Sequence, residues 1–260
     1  MNLLMDTPPE AALAITTVPS PNHGERRGLS HPDMIVLHYT GMLDAADALR
    51  RLCSLSSQVS AHYLVFEDGR IVQCVPEERR AWHAGASRWS DIEDVNSHSV
   101  GIEIANPGHD YGYPDFPAPQ VDAVIVLCRD IALRHGIIPE RILAHSDVAP
   151  LRKQDPGEKF PWAHLHECGV GHWVEPAPLG LPGPTLARND SGSAVIDLQS
   201  ALQRYGYGLE VTGAYDELTE AVVRAFQRHF RPARVDGIAD ASTRRTLDDL
   251  LAQSAAQPLV

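Results

Sequence analysis

MIVLH, residues 34–38, is a short apolar run that contains β-branched residues and stops at a histidine. Such a run reads as a buried strand with His38 as its polar end. A helix is expected next, over about 43–54. AHYLVF (61–66) and RIVQCV (70–75) flank Glu-Asp-Gly, the signal for a hairpin: strand, Asp-Gly turn, strand. VGIEIA (100–105) reads as a further strand, unusual in holding Glu103 among apolar neighbours. From 119 to 135, Val121, Val124, Ile125, Cys128, Ile131 and Ala132 recur at helical spacing, and Gly136 stands where that helix should end. Strands and helices alternate, so the expected class is α/β: a mixed central sheet flanked by helices.

The 260 residues are 43 % hydrophobic and carry a formal net charge of −12, enough chain for one large unit and a small one. Phosphate backbones require clustered Lys and Arg, so this balance argues against nucleic acid as a partner. No stretch approaches the roughly 20 apolar residues that span a bilayer. The opening MNLLMDTPPEAALAITTVPS lacks the basic and apolar regions of a standard secretion signal. Cys53, Cys74, Cys128 and Cys168 form no C-x-x-C pair and read as small apolar residues.

Residues 1–30, rich in Pro, Ser, Thr and Gly, read as an extended N-terminal arm, and 31–175 as the main domain. The stretch 174–190 holds four prolines and two glycines, which places a linker at 176–192. Beyond it, GAYDELT (213–219) and GIADAST (237–243) share G-x-x-D-x-x-T at a spacing of 24, each leading into an amphipathic helix. A glycine turn, an Asp cap and a helix are used twice. With a first helix over 195–205, residues 193–260 form a small three-helix domain.

A hydrolytic zinc site needs three protein ligands and one open position. His38, His145 and Asp155 are residues of the right kinds on separate elements, but there are 13 histidines and no H-E-x-x-H, so spacing alone does not choose among them. Pro150 and Pro156 prevent His145 and Asp155 from sharing one helix.

The order of several blocks does choose. IVLHYT (35–40), SAHYLV (60–65), WHAG (82–85), SVGIEIAN (99–106) and HSDVAPLRKQDPG (145–157) together resemble the zinc-dependent N-acetylmuramoyl-L-alanine amidases of the amidase_2 family. The resemblance implies that His38, His145 and Asp155 bind one Zn²⁺ per chain, that Glu103 is the general base, and that Lys153 assists the transition state. The D-P-G ending favours Asp155 as third ligand where some members place a cysteine. Tyr63, Trp82 and His83 correspond to positions along the substrate groove. Ala144 and Leu151 depart from the family's usual glycines, which bears on loop shape and not on the ligands.

Residues 193–252 resemble the PG_binding_1 peptidoglycan-binding domain, which implies anchorage on polymeric wall. The resulting expectation is hydrolysis of the amide between N-acetylmuramic, or 1,6-anhydro-N-acetylmuramic, acid and the L-alanine of stem peptides. The expected partners are peptidoglycan and muropeptides. A non-catalytic recognition protein on the same fold is the competing class. The wall-binding module favours the cell envelope, and the missing signal favours a cytoplasmic recycling enzyme.

Overall fold

The computed structural model describes residues 15–256. Most of the opening stretch 1–20, and the first half of the expected arm, lie outside the described residues. The strands are β1 (Ile15–Thr17), β2 (His23–Glu25), β3 (Met34–Tyr39), β4 (Tyr63–Val65), β5 (Ile71–Gln73), β6 (Arg79–Ala81), β7 (Ser99–Ile104) and β8 (Ile142–Ala144). The helices are α1 (Ala45–Leu52), α2 (Val95–His98), α3 (Ala118–His135), α4 (His145–Val148), α5 (Trp162–Glu167), α6 (Ser193–Tyr205), α7 (Glu217–Phe230) and α8 (Ala241–Ala256).

Six strands make one mixed sheet in the order β1, β5, β4, β7, β3, β8. The 34–38 run lies inside it as β3, between β7 and the edge strand β8 and parallel to both, and Met34 to Leu37 are fully buried. The Asp-Gly hairpin forms as expected, with β4 antiparallel to β5. On α3 the anticipated stripe is buried from Val121 to Ile131 and half-buried at Ala132, and Gly136 ends the helix at φ +65°. Register decides the chemistry: His38 pairs with Glu103, and Leu37 pairs with Ala144, the residue before His145. Three adjacent parallel strands therefore deliver these side chains to their carboxyl ends, where open α/β sheets bind ligands.

The reading of 1–30 as a plain arm needs correction. Ile15–Thr17 adds a parallel edge strand beside β5, and His23–Glu25 pairs with β6 in a separate two-stranded sheet. All three residues of β1 are exposed, so no buried pattern marked it. Cys74 and Cys128 are buried, Cys53 and Cys168 half-buried, and all four are free thiols.

In the C-terminal module both repeats cap helices as expected. Asp216 accepts the Thr219 N–H at 2.8 Å and Asp240 the Thr243 N–H at 2.7 Å. Each repeat also recruits a buried glutamine from the helix before it. Gln199 accepts from the Gly213 N–H and donates to the Thr219 hydroxyl, as Gln227 does with Gly237 and Thr243.

The segment read as a linker is not a free tether. Leu186 and Ala239 exchange backbone hydrogen bonds, and Ala177 bonds to Thr246 and Ser242. A single hydrophobic cluster runs from β3 into α8. Across the seam Trp89 meets Tyr207 edge-on at 5.1 Å, and Trp162 stacks on His229 at 3.7 Å.

Candidate metal centre

His38 leaves the end of β3 and His145 begins α4, directly after β8. Asp155 is brought alongside by a closed loop, because the Ser146 N–H donates to the Asp155 carbonyl at 3.0 Å. His38 Nδ1 lies 2.8 Å from His145 Nδ1, and Asp155 Oδ2 lies 2.9 Å from His145 Nδ1 and 3.2 Å from His38 Nδ1. All three residues are buried. A tetrahedral ion with bonds of about 2.1 Å would hold such atoms about 3.4 Å apart, so the donors need part by only a few tenths of an ångström. Two imidazole nitrogens and one carboxylate oxygen suit zinc.

Hydrogen-bond accounting fixes which nitrogen of each ring is free. His145 Nε2 lies 3.1 Å from the Ala84 carbonyl, which can only accept, so Nε2 carries the proton and Nδ1 keeps its lone pair. For His38 the deduction runs through two more residues. Ser99 donates its single hydroxyl proton to the Val95 carbonyl at 2.6 Å, so it must accept from His83 Nε2 at 3.1 Å. His83 Nδ1 then accepts from His38 Nε2 at 3.0 Å, leaving His38 Nδ1 free. Burial, with the neighbouring rings of His38, His62 and His145, holds His83 well below the usual histidine range and therefore neutral, as this chain requires. Gly101 makes the approach possible: a Cβ there would lie 2.3 Å from His83 Cγ.

The His38 ring is itself brought down to about 4, by burial first and the adjacent His145 second, so it is neutral and able to act as a ligand at neutral pH. Burial works against the Asp155 carboxylate, but the two flanking histidines outweigh it and hold the carboxyl below its usual range.

Glu103 lines the same cleft of about 510 Å³. Its Oε2 is buried without a hydrogen-bond partner among the described residues. Burial, reinforced by the Asp155 charge and opposed by Lys153, pushes this carboxyl up to about 8. Lys153 and Trp82 also line the cleft, as does Arg51 from α1, which no sequence signal distinguished from an ordinary helix cation. His83 reaches the cleft, but both its ring nitrogens are occupied by His38 and Ser99.

Tyr63 is not in the cleft lining, which corrects its placement along a substrate groove. It is 4 % exposed and donates its hydroxyl to Glu77 at 2.7 Å, in a cluster that includes Arg134 and His135. Strand alternation turns it away from the cleft.

Residues 28–158 match the family described as N-acetylmuramoyl-L-alanine amidase. The chain belongs to the N-acetylmuramoyl-L-alanine amidase family. Residues 191–247 of this amidase match a second family, the peptidoglycan binding domain. It is 37 % identical over 233 residues to the N-acetylmuramoyl-L-alanine amidase AmiD of Escherichia coli K12, covering 84 % of this chain and 82 % of the relative. It is 33 % identical to the 1,6-anhydro-N-acetylmuramyl-L-alanine amidase AmpD of Enterobacter cloacae, over 57 % of this chain and 87 % of that one. Among solved structures, it aligns with E. coli AmiD in complex with the substrate anhydro-N-acetylmuramic acid-L-Ala-D-γ-Glu-L-Lys (TM-score 0.74, 33 % identity, 91 % of this chain and 99 % of that chain). AmpDh3 of Pseudomonas aeruginosa gives a TM-score of 0.73 at 32 % identity, over 92 % and 96 % of the two chains.

Proposed function

We propose that this amidase is a zinc hydrolase of the cell envelope that cuts the amide between N-acetylmuramic, or 1,6-anhydro-N-acetylmuramic, acid and the L-alanine of peptidoglycan stem peptides. The observation that carries the reading is the convergence of His38 Nδ1, His145 Nδ1 and Asp155 Oδ2 beside an unpartnered oxygen of Glu103. The substrate named for the aligned AmiD complex supports the same bond. The match of 191–247 to a peptidoglycan binding domain supports action on polymeric wall, and no described helix is long and apolar enough to cross a membrane.

A zinc ion held by His38, His145 and Asp155 would lower the pKa of a water toward about 7 and polarise the amide carbonyl. Glu103 supplies the proton traffic. Its unpartnered carboxylate oxygen takes a proton from the attacking water and passes it to the departing L-alanine nitrogen, and its raised pKa suits both transfers. Lys153 places a cation on the cleft wall where negative charge develops on the carbonyl oxygen, a role commonly worth about 3 kcal/mol. Trp82 offers an aromatic face to the sugar or peptide. Arg51 and Lys153 give the cleft two cations to meet the free carboxylates of the stem peptide.

Mass spectrometry of products from purified sacculi and from a soluble anhydro-muramyl tripeptide tests the reading. Stem peptides with a free L-alanine amine are expected from both, lost on metal stripping and restored by zinc. Glu103→Gln should keep one zinc per chain while kcat falls 10²- to 10⁴-fold. Sacculus binding with no release from either substrate would leave a recognition protein instead.

A further inference from the structure

His145 begins α4, a turn of only four residues, and a helix this short does not sustain itself. Its brace is Asp147. Oδ2 of Asp147 accepts the Ala144 N–H at 2.8 Å and so fixes the junction between β8 and the turn. The same carboxylate takes two more donors, and both come from the C-terminal module. The Tyr207 hydroxyl donates to Oδ1 at 2.9 Å, and His229 Nδ1 donates to Oδ2 at 2.7 Å.

Asp147, Tyr207 and His229 are each no more than 1 % exposed. A carboxylate so deeply buried is tolerated only when its lone pairs are met, and two of its three donors lie beyond residue 200. The His229 ring is clamped between Trp162 at 3.7 Å and Phe230 at 3.8 Å, and its Nε2 has no partner among the described residues, where Nδ1 carries the ring's polar contact. A second route joins the same parts. The Arg88 N–H donates to the carbonyl of Val148, the last residue of α4, while the Ser90 N–H donates to the carbonyl of Gly206.

We infer that Tyr207 and His229 are positioning residues for the metal centre: the peptidoglycan-binding module holds the Asp147 carboxylate, and through it the turn that aims His145 Nδ1 at His38 and Asp155. The inference rests on the zinc amidase reading above. It gives the module a second task, separable from wall anchorage, because a soluble substrate does not need the anchor.

The experiment compares Tyr207→Phe, His229→Leu and the double variant with wild type, and adds His229→Asn, whose amide N–H can replace Nδ1–H. Zinc affinity is measured by competition with a chromophoric chelator, kcat and KM on a soluble anhydro-muramyl tripeptide, and retention on sacculi by co-sedimentation. Expected are a 10- to 100-fold loss of zinc affinity in the double variant and at least a tenfold fall in kcat, with KM and sacculus retention within twofold. His229→Asn should recover most of both losses. Zinc affinity and kcat within twofold of wild type would overturn the inference, as would a loss of sacculus retention with kcat intact. If His229→Leu fails to fold, Tyr207→Phe, which removes one oxygen atom, decides by the same criteria against His229→Asn. A wild-type protein that binds no zinc would instead sink the amidase reading itself.

Discussion

Ser99 has one proton to give and Val95 takes it, so a side chain remote from the cleft dictates the state of a histidine two residues away along a hydrogen-bonded chain. Ser99→Ala removes the acceptor that pins the His83 proton to Nε2, and His83 can then present a donor to His38. Zinc affinity should fall about tenfold with the fold intact, as it does when the outer partner of a metal-binding histidine is lost. Chelator competition measures the affinity, and nitrogen shifts of the His38 and His83 rings report the tautomers. An unchanged affinity would refute this ordering of protons. His38, Glu103, His145 and Asp155 stood out in the sequence because ordered blocks surround them. Ser99 lay inside one of those blocks without a role, since nothing in SVGIEIAN shows that its hydroxyl points at a histidine. Tyr63 was misread for a related reason. A strand aromatic shows its period in the sequence but not which face of the sheet holds the cleft.

At the scale of elements, Glu77 ties three of them together. Arg134 and His135 at the end of α3 bond to its carboxylate, Tyr63 of β4 donates to it, and Arg26, just beyond β2, bonds to its carbonyl oxygen. Burial alone would raise this carboxyl, but hydrogen bonds from Arg134, Tyr63 and His135 overcome it and bring it to about 2. An unfolded glutamate titrates near 4.5. The network's stabilisation is therefore complete above about pH 5 and drains away as pH falls toward 2, where the folded carboxyl finally takes up its proton. Glu77→Gln should cost about 3 kcal/mol at pH 7, the scale of breaking a buried ion pair. The gap between variant and wild type should close on acidification, which urea titrations from pH 7 to 3 would follow. A gap independent of pH would mean that packing, not charge, is what Gln disturbs. The alternation of strands and helices was legible here from hydrophobic period. The edge strand β1 was not, because three exposed residues carry no period.

Across the whole molecule, the two halves bury a common apolar interior in place of hanging from a flexible join. Calorimetry of the intact chain should give one cooperative transition, with equal calorimetric and van't Hoff enthalpies. Two resolved transitions would show that the halves melt independently. The repeats at 213–219 and 237–243 revealed the C-terminal helices because capping is local chemistry. The docking of those helices was hidden. The partners Trp89 and Tyr207 are more than a hundred residues apart, and a proline-rich stretch reads the same whether it swings free or lies against a surface.

Gly206 adopts φ +133°, and a Cβ on it would sit 2.4 Å from Trp89 Cζ2. That gap bears on protein engineering. Wall-targeting parts of hydrolases are often imagined as interchangeable cartridges joined at a spacer, but here any replacement cartridge must reproduce a notch cut for one indole ring. A chimaera spliced within 176–192 would leave Trp89 and Trp162 bare, so grafts should be confined to solvent-exposed positions of α6, α7 and α8 and leave the seam as it is.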